Sequence, residues 1–198
     1  MAVKDKVGII GGKIVQQGTN TTWKDIVTQA FAQNIDISSG RIDFNYTGVT
    51  IDFAVNARYP EEPLCMAFQM QHDYKFGTQM YPHLHWIQNS SDIPNWMIAY
   101  RVSQNGIAIP DAFNLAKHNG GGAVYTYSSG TILQIVRFPV ISGVHDLSFS
   151  IDIKLYRDTA NASGLFAGAD PYTGIASVKF FDLHYEVDDL GSAAEYIK

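Results

Sequence analysis

An alternation of apolar and polar residues between positions 146 and 156 constrains the fold more than any other feature. The apolar members are Leu147, Phe149, Ile151, Ile153 and Leu155, and every residue between them is polar. Successive side chains of a β-strand point to opposite faces of its sheet, so this period of two predicts a half-buried strand. The chain is therefore expected to contain a sheet with one apolar face.

Further segments of strand character recur along the chain. They lie at residues 51–55, 64–70, 96–102, 132–138 and 181–187. Turn-forming residues separate them, and no helical pattern lies between them. Strands without crossover helices pair antiparallel, so about eight such strands predict an all-β fold, an antiparallel β-sandwich or jelly roll.

A different pattern precedes these strands. Thr22 is a candidate helix N-cap with Asp25 three positions later, and an apolar stripe of helical spacing follows from Trp23 to Phe31. This predicts one short helix that begins at Thr22 and ends near Asn34. The predicted domains are an N-terminal arm and short helix, residues 1–35, and a jelly-roll domain, residues 36–198. The arm has few core-forming residues and is a candidate to dock on a partner.

Charge and cysteine content exclude several functions. The 198-residue chain has a formal net charge of −5, with 14 Lys and Arg and no basic run, so nucleic acid is not an expected partner. Cys65 is the only cysteine, which excludes an intrachain disulfide and a cysteine-based zinc site. No stretch approaches the ~20 apolar residues of a membrane span and no signal sequence is evident. We expect folding in the cytoplasm, without membrane insertion.

Two long segments without strand character, residues 104–130 and 157–174, interrupt the pattern. Loops of this length in a compact domain are usually functional or held by a neighbouring subunit. Their aromatic residues, together with two tryptophans of the strands, are the predicted interface residues. These are Tyr125, Tyr127, Phe166, Tyr172, Trp86 and Trp96. For the loop aromatics, packing within one subunit is an equal alternative.

Three histidines are candidate metal ligands. On a strand, His83 and His85 project from the same face at a spacing that lets two imidazoles share one ion, and His184 or His72 could supply a third ligand. Gly77, followed after five residues by His83-x-His85, resembles the start of the metal-binding motif of cupins, a jelly-roll superfamily. The glutamate that cupins place after the second histidine is absent. The alternative is that both are hydrogen-bonded histidines on an interior or intersubunit face.

Two sequence blocks resemble a group of small structural proteins of tailed bacteriophages. The first comprises residues 70–75 (MQHDYK), 81–86 (YPHLHW) and 95–100 (NWMIAY), and the second comprises residues 181–192 (FDLHYEVDDLGS) and 195–198 (EYIK). The resemblance implies a homotrimeric jelly-roll subunit of the virion, on the capsid exterior or on a tail or head fibre. No catalytic residue and no cofactor is expected.

Three functions follow from these patterns. The first is a capsid decoration or head-auxiliary protein that stabilises the shell by contacts with the major capsid protein or other virion proteins. The second is a receptor-binding module of a tail or head fibre, whose loops contact a host surface glycan or protein. The third is a metal-dependent, cupin-like enzyme that uses His83 and His85. The first is the leading hypothesis, and in it no residue performs chemistry.

Overall fold

The structure, a computed structural model, describes residues 6–10, 13–17, 22–29, 42–45, 50–119, 131–142 and 149–187. These residues form twelve strands and no helix, so none of them belongs to a helix that could cross a membrane. In chain order the strands are β1 (Lys6–Ile10), β2 (Lys13–Gln17), β3 (Thr22–Gln29), β4 (Ile42–Asn45), β5 (Thr50–Phe53), β6 (Leu64–Gln69), β7 (Tyr81–Gln88), β8 (Trp96–Ser103), β9 (Asn114–Lys117), β10 (Ile132–Arg137), β11 (Ser150–Arg157) and β12 (Ala176–Val187).

The strands pair antiparallel in two main sheets and one hairpin. The six-stranded sheet has the order β10-β7-β12-β5-β4, with β3 also paired to β12, and the four-stranded sheet has the order β6-β11-β8-β9. β1 and β2 form the hairpin. The long β12 is central to the larger sheet, because β7 runs along one of its edges while β5 and β3 share the other.

The two main sheets pack face to face around one apolar core. Across the interface, the ring of Trp96 in β8 lies 5.3 Å from that of Phe53 in β5 and 6.1 Å from that of Trp86 in β7. Farther along the interface, Phe68 of β6 lies 5.9 Å from Phe181 of β12. All five rings are buried. Removal of these faces from water is the main force that holds the sheets together, and the predicted all-β sandwich is confirmed.

The predicted alternation matches the observed burial. Ile151, Ile153 and Leu155 of β11 are buried, and the polar residues between them are only partly buried. Each of the five other predicted segments overlaps a strand, namely β5, β6, β8, β10 and β12. Residues 143–148, at the start of the clearest alternation, lie outside the described residues.

The helix predicted from Thr22 is wrong over the residues that the structure describes. Thr22–Gln29 form β3, which pairs with β12 along its whole length. The apolar residues of the segment fit strand alternation as well as helical spacing. Ile26 packs against the core, while Trp23 and Val27 are exposed on the opposite face. The ladder to β12 and the β-branched residues of the segment outweigh its local helix signal. Residues 30–34 lie outside the described residues.

The second long loop is firmly bonded to the sandwich. Its start is fixed by Arg157, whose side chain is buried and donates to Asp170 and to four backbone carbonyls. Those carbonyls belong to Phe53, Ala54, Tyr172 and Gly174. Asp158 is also buried, and its carboxylate accepts hydrogen bonds from the backbone amides of Ala162 and Ser163.

Three of the predicted interface aromatics lie inside the single chain. Trp86 and Trp96 are fully buried, and Tyr172 is 2% exposed, with its ring 5.2 Å from that of Trp86. A partner subunit cannot reach them, so the interface prediction is wrong for these three residues. The reason is that the sandwich core itself requires large rings between the sheets. Phe166 is half-buried and packs near Met97, while Tyr125 and Tyr127 lie outside the described residues.

Candidate functional site

The histidine cluster lies on the outer face of the six-stranded sheet, away from the core. In β7, Leu84 and Trp86 belong to the core, so the intervening His83 and His85 face outward with Tyr81. The two histidines therefore lie on one face of the sheet, as the spacing predicts. Leu84 and Trp86 hold β7 against the core, and the two imidazoles lie on the opposite face of the strand.

A β-bulge in β12 places further polar groups beside β7. Val178 pairs with Trp86 and Phe180 pairs with His85, so Lys179 is an extra residue without a partner on β7. One extra residue reverses the faces of all residues after it. Beyond the bulge, the buried side chains on the core side are Phe181, Leu183 and Tyr185, and the outward-facing ones include Asp182 and His184.

The strand register then brings three potential ligands together. Asp182 of β12 stands opposite His83 of β7, and His184 stands opposite Asp25 of β3 on its other side. The rings of His83 and His184 meet edge to face with their centroids 4.1 Å apart. One ligand atom each from His83, Asp182 and His184 lies within 4.8 Å of the other two.

The two oxygens of Asp182 differ in their partners. His184 Nε2 donates a hydrogen bond to Oδ2 at 2.9 Å and also lies 3.2 Å from Asp25 Oδ1. His85 Nε2 lies 3.3 Å from Asp182 Oδ1, but this contact lacks hydrogen-bond geometry. Oδ1 is therefore a buried carboxylate oxygen without a hydrogen bond. Such atoms are rare in folded proteins, since burying an unpartnered polar atom is costly.

The protonation states of the cluster follow from burial and from these contacts. Burial, aided by the nearby charge of His184, lowers the pKa of His83 to about 4. Burial alone would raise the pKa of Asp182, but hydrogen bonding from His184 and the contact with His85 lower it to about 2. The hydrogen bond to Asp182 raises the pKa of His184, against the effect of burial. At neutral pH, His83 is thus uncharged and Asp182 is anionic.

An open cleft of about 420 Å³ gives access to the cluster from solvent. Its lining residues are Trp23, Tyr81, His83, Arg137 and His184. The rings of Trp23 and Tyr81 make an edge-to-face contact at 5.2 Å. Arg137 stands opposite His83 on the neighbouring β10. A small ion or molecule can therefore enter between aromatic rings and reach both imidazoles.

The structure brings some predicted site residues together and leaves others apart. His83 and His184 belong to the group of three potential ligands. His85 lies beside this group, near Oδ1 of Asp182, and His72 is not part of it. Sequence reasoning missed Asp182. It supplies the carboxylate that the His83-x-His85 motif lacked, from a different strand than the cupin pattern implies. The spacing Asp182-x-His184 on a predicted strand was the signal that could have revealed it.

Comparison with known proteins found no match. No protein-family model matches the chain, and neither a curated protein nor a solved structure matches it. Function is therefore inferred from the residues and the fold described above.

Proposed function

We propose that the chain is a structural subunit of a tailed-bacteriophage particle, a capsid decoration protein that binds copies of itself and neighbouring shell proteins. Two things support the proposal: the resemblance of the two sequence blocks, and large apolar side chains exposed on the outer face of the six-stranded sheet. The second is the observation that carries it. The finer fold in this proposal is a jelly roll, since two-sheet antiparallel sandwiches of this kind are common in viral shells.

Large apolar side chains are exposed on the same face as the histidine cluster. Trp23 is 43% exposed and Val27 is 54% exposed, both on β3, and Leu133 of β10 is 47% exposed. Between Val27 and Leu133 lie the partly buried Ile87 and Phe180, together with the polar His83, His85 and Asp182. Grouped apolar residues on an outer face indicate a surface that contacts another protein.

The edge of the sheet next to Leu133 supports pairing with another chain. β10 ends the order of the six-stranded sheet and pairs with β7 alone among the described strands. An edge strand offers backbone groups to another chain, and at the end of β10 the Arg137 carbonyl already accepts from the Asn119 amide. A second copy that covers this edge also covers Leu133. In a cyclic homotrimer every subunit covers one neighbour and is covered by another.

Sedimentation analysis of the full chain tests the assembly. We expect a trimer for the wild type and dissociation for Leu133→Glu, because the charge would be buried in the interface without a partner. Ile107→Glu is the matched control: Ile107 is 59% exposed in a loop outside this face, so the variant should remain trimeric. A monomeric wild type, or equal dissociation of both variants, would contradict the proposal.

A binding experiment distinguishes decoration from host recognition. Fluorescently labelled trimer is mixed with assembled shells in one sample and with intact host cells in another. Binding to shells supports the decoration role, since such a protein stabilises the shell through many modest contacts. Binding to cells alone would instead assign the chain to a fibre.

A further inference from the structure

We propose that His83, Asp182 and His184 form a binding site for one divalent transition-metal ion of the Zn²⁺ type. The site lies on β7 and β12, and the inference does not depend on the proposed role in a virion. The ligand set differs from the His83-x-His85 pair, because His85 is outside it.

The chemistry of the three residues suits such an ion. Two imidazole nitrogens and one carboxylate oxygen are a common ligand set for Zn²⁺ and Fe²⁺ in proteins. The ligand atoms lie within 4.8 Å of one another, so modest side-chain movements bring all three onto one ion. Because adjacent paired strands carry them, their backbone positions are fixed by the register of the sheet. The open cleft leaves a coordination position for water or another ligand.

A second observation points to a missing cation. The side chain of Asp182 is 4% exposed, and its Oδ1 has the 3.3 Å contact with His85 Nε2, which lacks hydrogen-bond geometry. A buried carboxylate of this kind is stabilised by a positive charge in contact with it. Without metal, the hydrogen bond from His184 satisfies only one of the two oxygens.

Cobalt titration tests the site directly. The full chain, purified without a polyhistidine tag and stripped with EDTA, is titrated with Co²⁺ while the visible absorption of bound cobalt is followed. We expect saturation at one Co²⁺ per chain and loss of the absorption when Zn²⁺ is added, since Zn²⁺ competes for the same ligands. Absence of saturable binding would overturn the proposal and leave a hydrogen-bonded cluster.

Variants assign the binding to these residues. Asp182→Asn keeps the shape of the side chain but removes its charge, and His184→Gln removes an imidazole. Each should weaken Co²⁺ binding by more than about ten-fold. His118→Gln, a histidine outside the cluster, should bind as the wild type does. The proposal is wrong if both site variants bind like the wild type, or if His118→Gln loses binding equally.

Circular dichroism checks that each variant is folded before titration. If Asp182→Asn does not fold, His83→Gln replaces it, because His83 contributes a ligand from the neighbouring strand. The stoichiometry of the wild type decides the proposal independently of any variant.

Discussion

Arg157 illustrates how one buried charge can organise a long loop. Its Nε donates to Asp170 at 2.6 Å, and Nη1 donates to the Gly174 carbonyl at 2.7 Å. The side chains of both charged partners are almost fully removed from solvent. Both of these bonds are at least partly buried, so water replaces them poorly. The conformation of the loop between β11 and β12 therefore depends on this guanidinium.

Replacement of this arginine should be strongly destabilising. Arg157→Met keeps much of the apolar stem but leaves Asp170 as an unpaired charge and leaves several buried carbonyls without donors. Loss of one partner of a buried ion pair costs about 3–5 kcal/mol, which is the expected decrease in the free energy of unfolding. Guanidinium chloride denaturation, followed by tryptophan fluorescence, measures it.

A second arginine provides the control. Arg101 Nε lies 2.7 Å from Asp152 Oδ2, but these side chains are 28% and 31% exposed. Solvent screens this pair, so Arg101→Met should cost less than about 1 kcal/mol. Similar losses in both variants would show that burial does not distinguish the two arginines.

At the level of strands, the bulge at Lys179 connects the core to the candidate site. Before it, Ala176 and Val178 face the core, and after it the core residues fall on odd-numbered positions. If Lys179 took an ordinary paired position in the strand, Asp182 and His184 would point into the sandwich. The bulge therefore keeps the apolar side chains of β12 on the core face and Asp182 and His184 on the outer face.

Deletion of Lys179 should consequently remove the bulge and retain both the cooperative unfolding transition and Co²⁺ binding. Val178 and Phe180 then become consecutive and keep their partners Trp86 and His85 on β7, so the residues after the deletion stay on their present faces. Lys179→Ala is the control, since the lysine side chain is exposed and the residue count is unchanged. Thermal denaturation monitored by circular dichroism compares the two proteins. A deletion variant that loses both properties, while Lys179→Ala keeps them, would refute the register of β7 and β12.

The same strands explain what sequence reasoning could and could not predict. β11 and the end of β12 were predictable because alternation is a local property that survives in any fold with a buried face. β3 was not predictable, because its apolar pattern fits both a helix and a strand. Pairing with β12 decides in favour of the strand. Asp182 was missed since its position beside His83 depends on pairing between distant segments. The adjacent Phe180 and Phe181, which break the alternation, were the only local trace of the bulge.

At the scale of the whole molecule, one core joins both sheets. The largest cluster of buried side chains draws on β5, β6, β7 and β8 as well as on β10, β11 and β12. Because the same side chains stabilise both sheets, the apolar face of either sheet would be exposed to water without the other. The described part of the sandwich is therefore expected to unfold in one cooperative step.

The three tryptophans report on this packing. Trp86 and Trp96 are fully buried between the sheets, whereas Trp23 is 43% exposed on the outer face. In dilute native protein, acrylamide should quench Trp23 and leave the other two almost untouched, so Trp23→Phe should make the remaining fluorescence resistant to quenching. Trp96→Phe is the control and should leave the quenchable emission in place. If the Trp23→Phe protein is still readily quenched before denaturation, the two sheets do not enclose their tryptophans, and a single closed core is excluded.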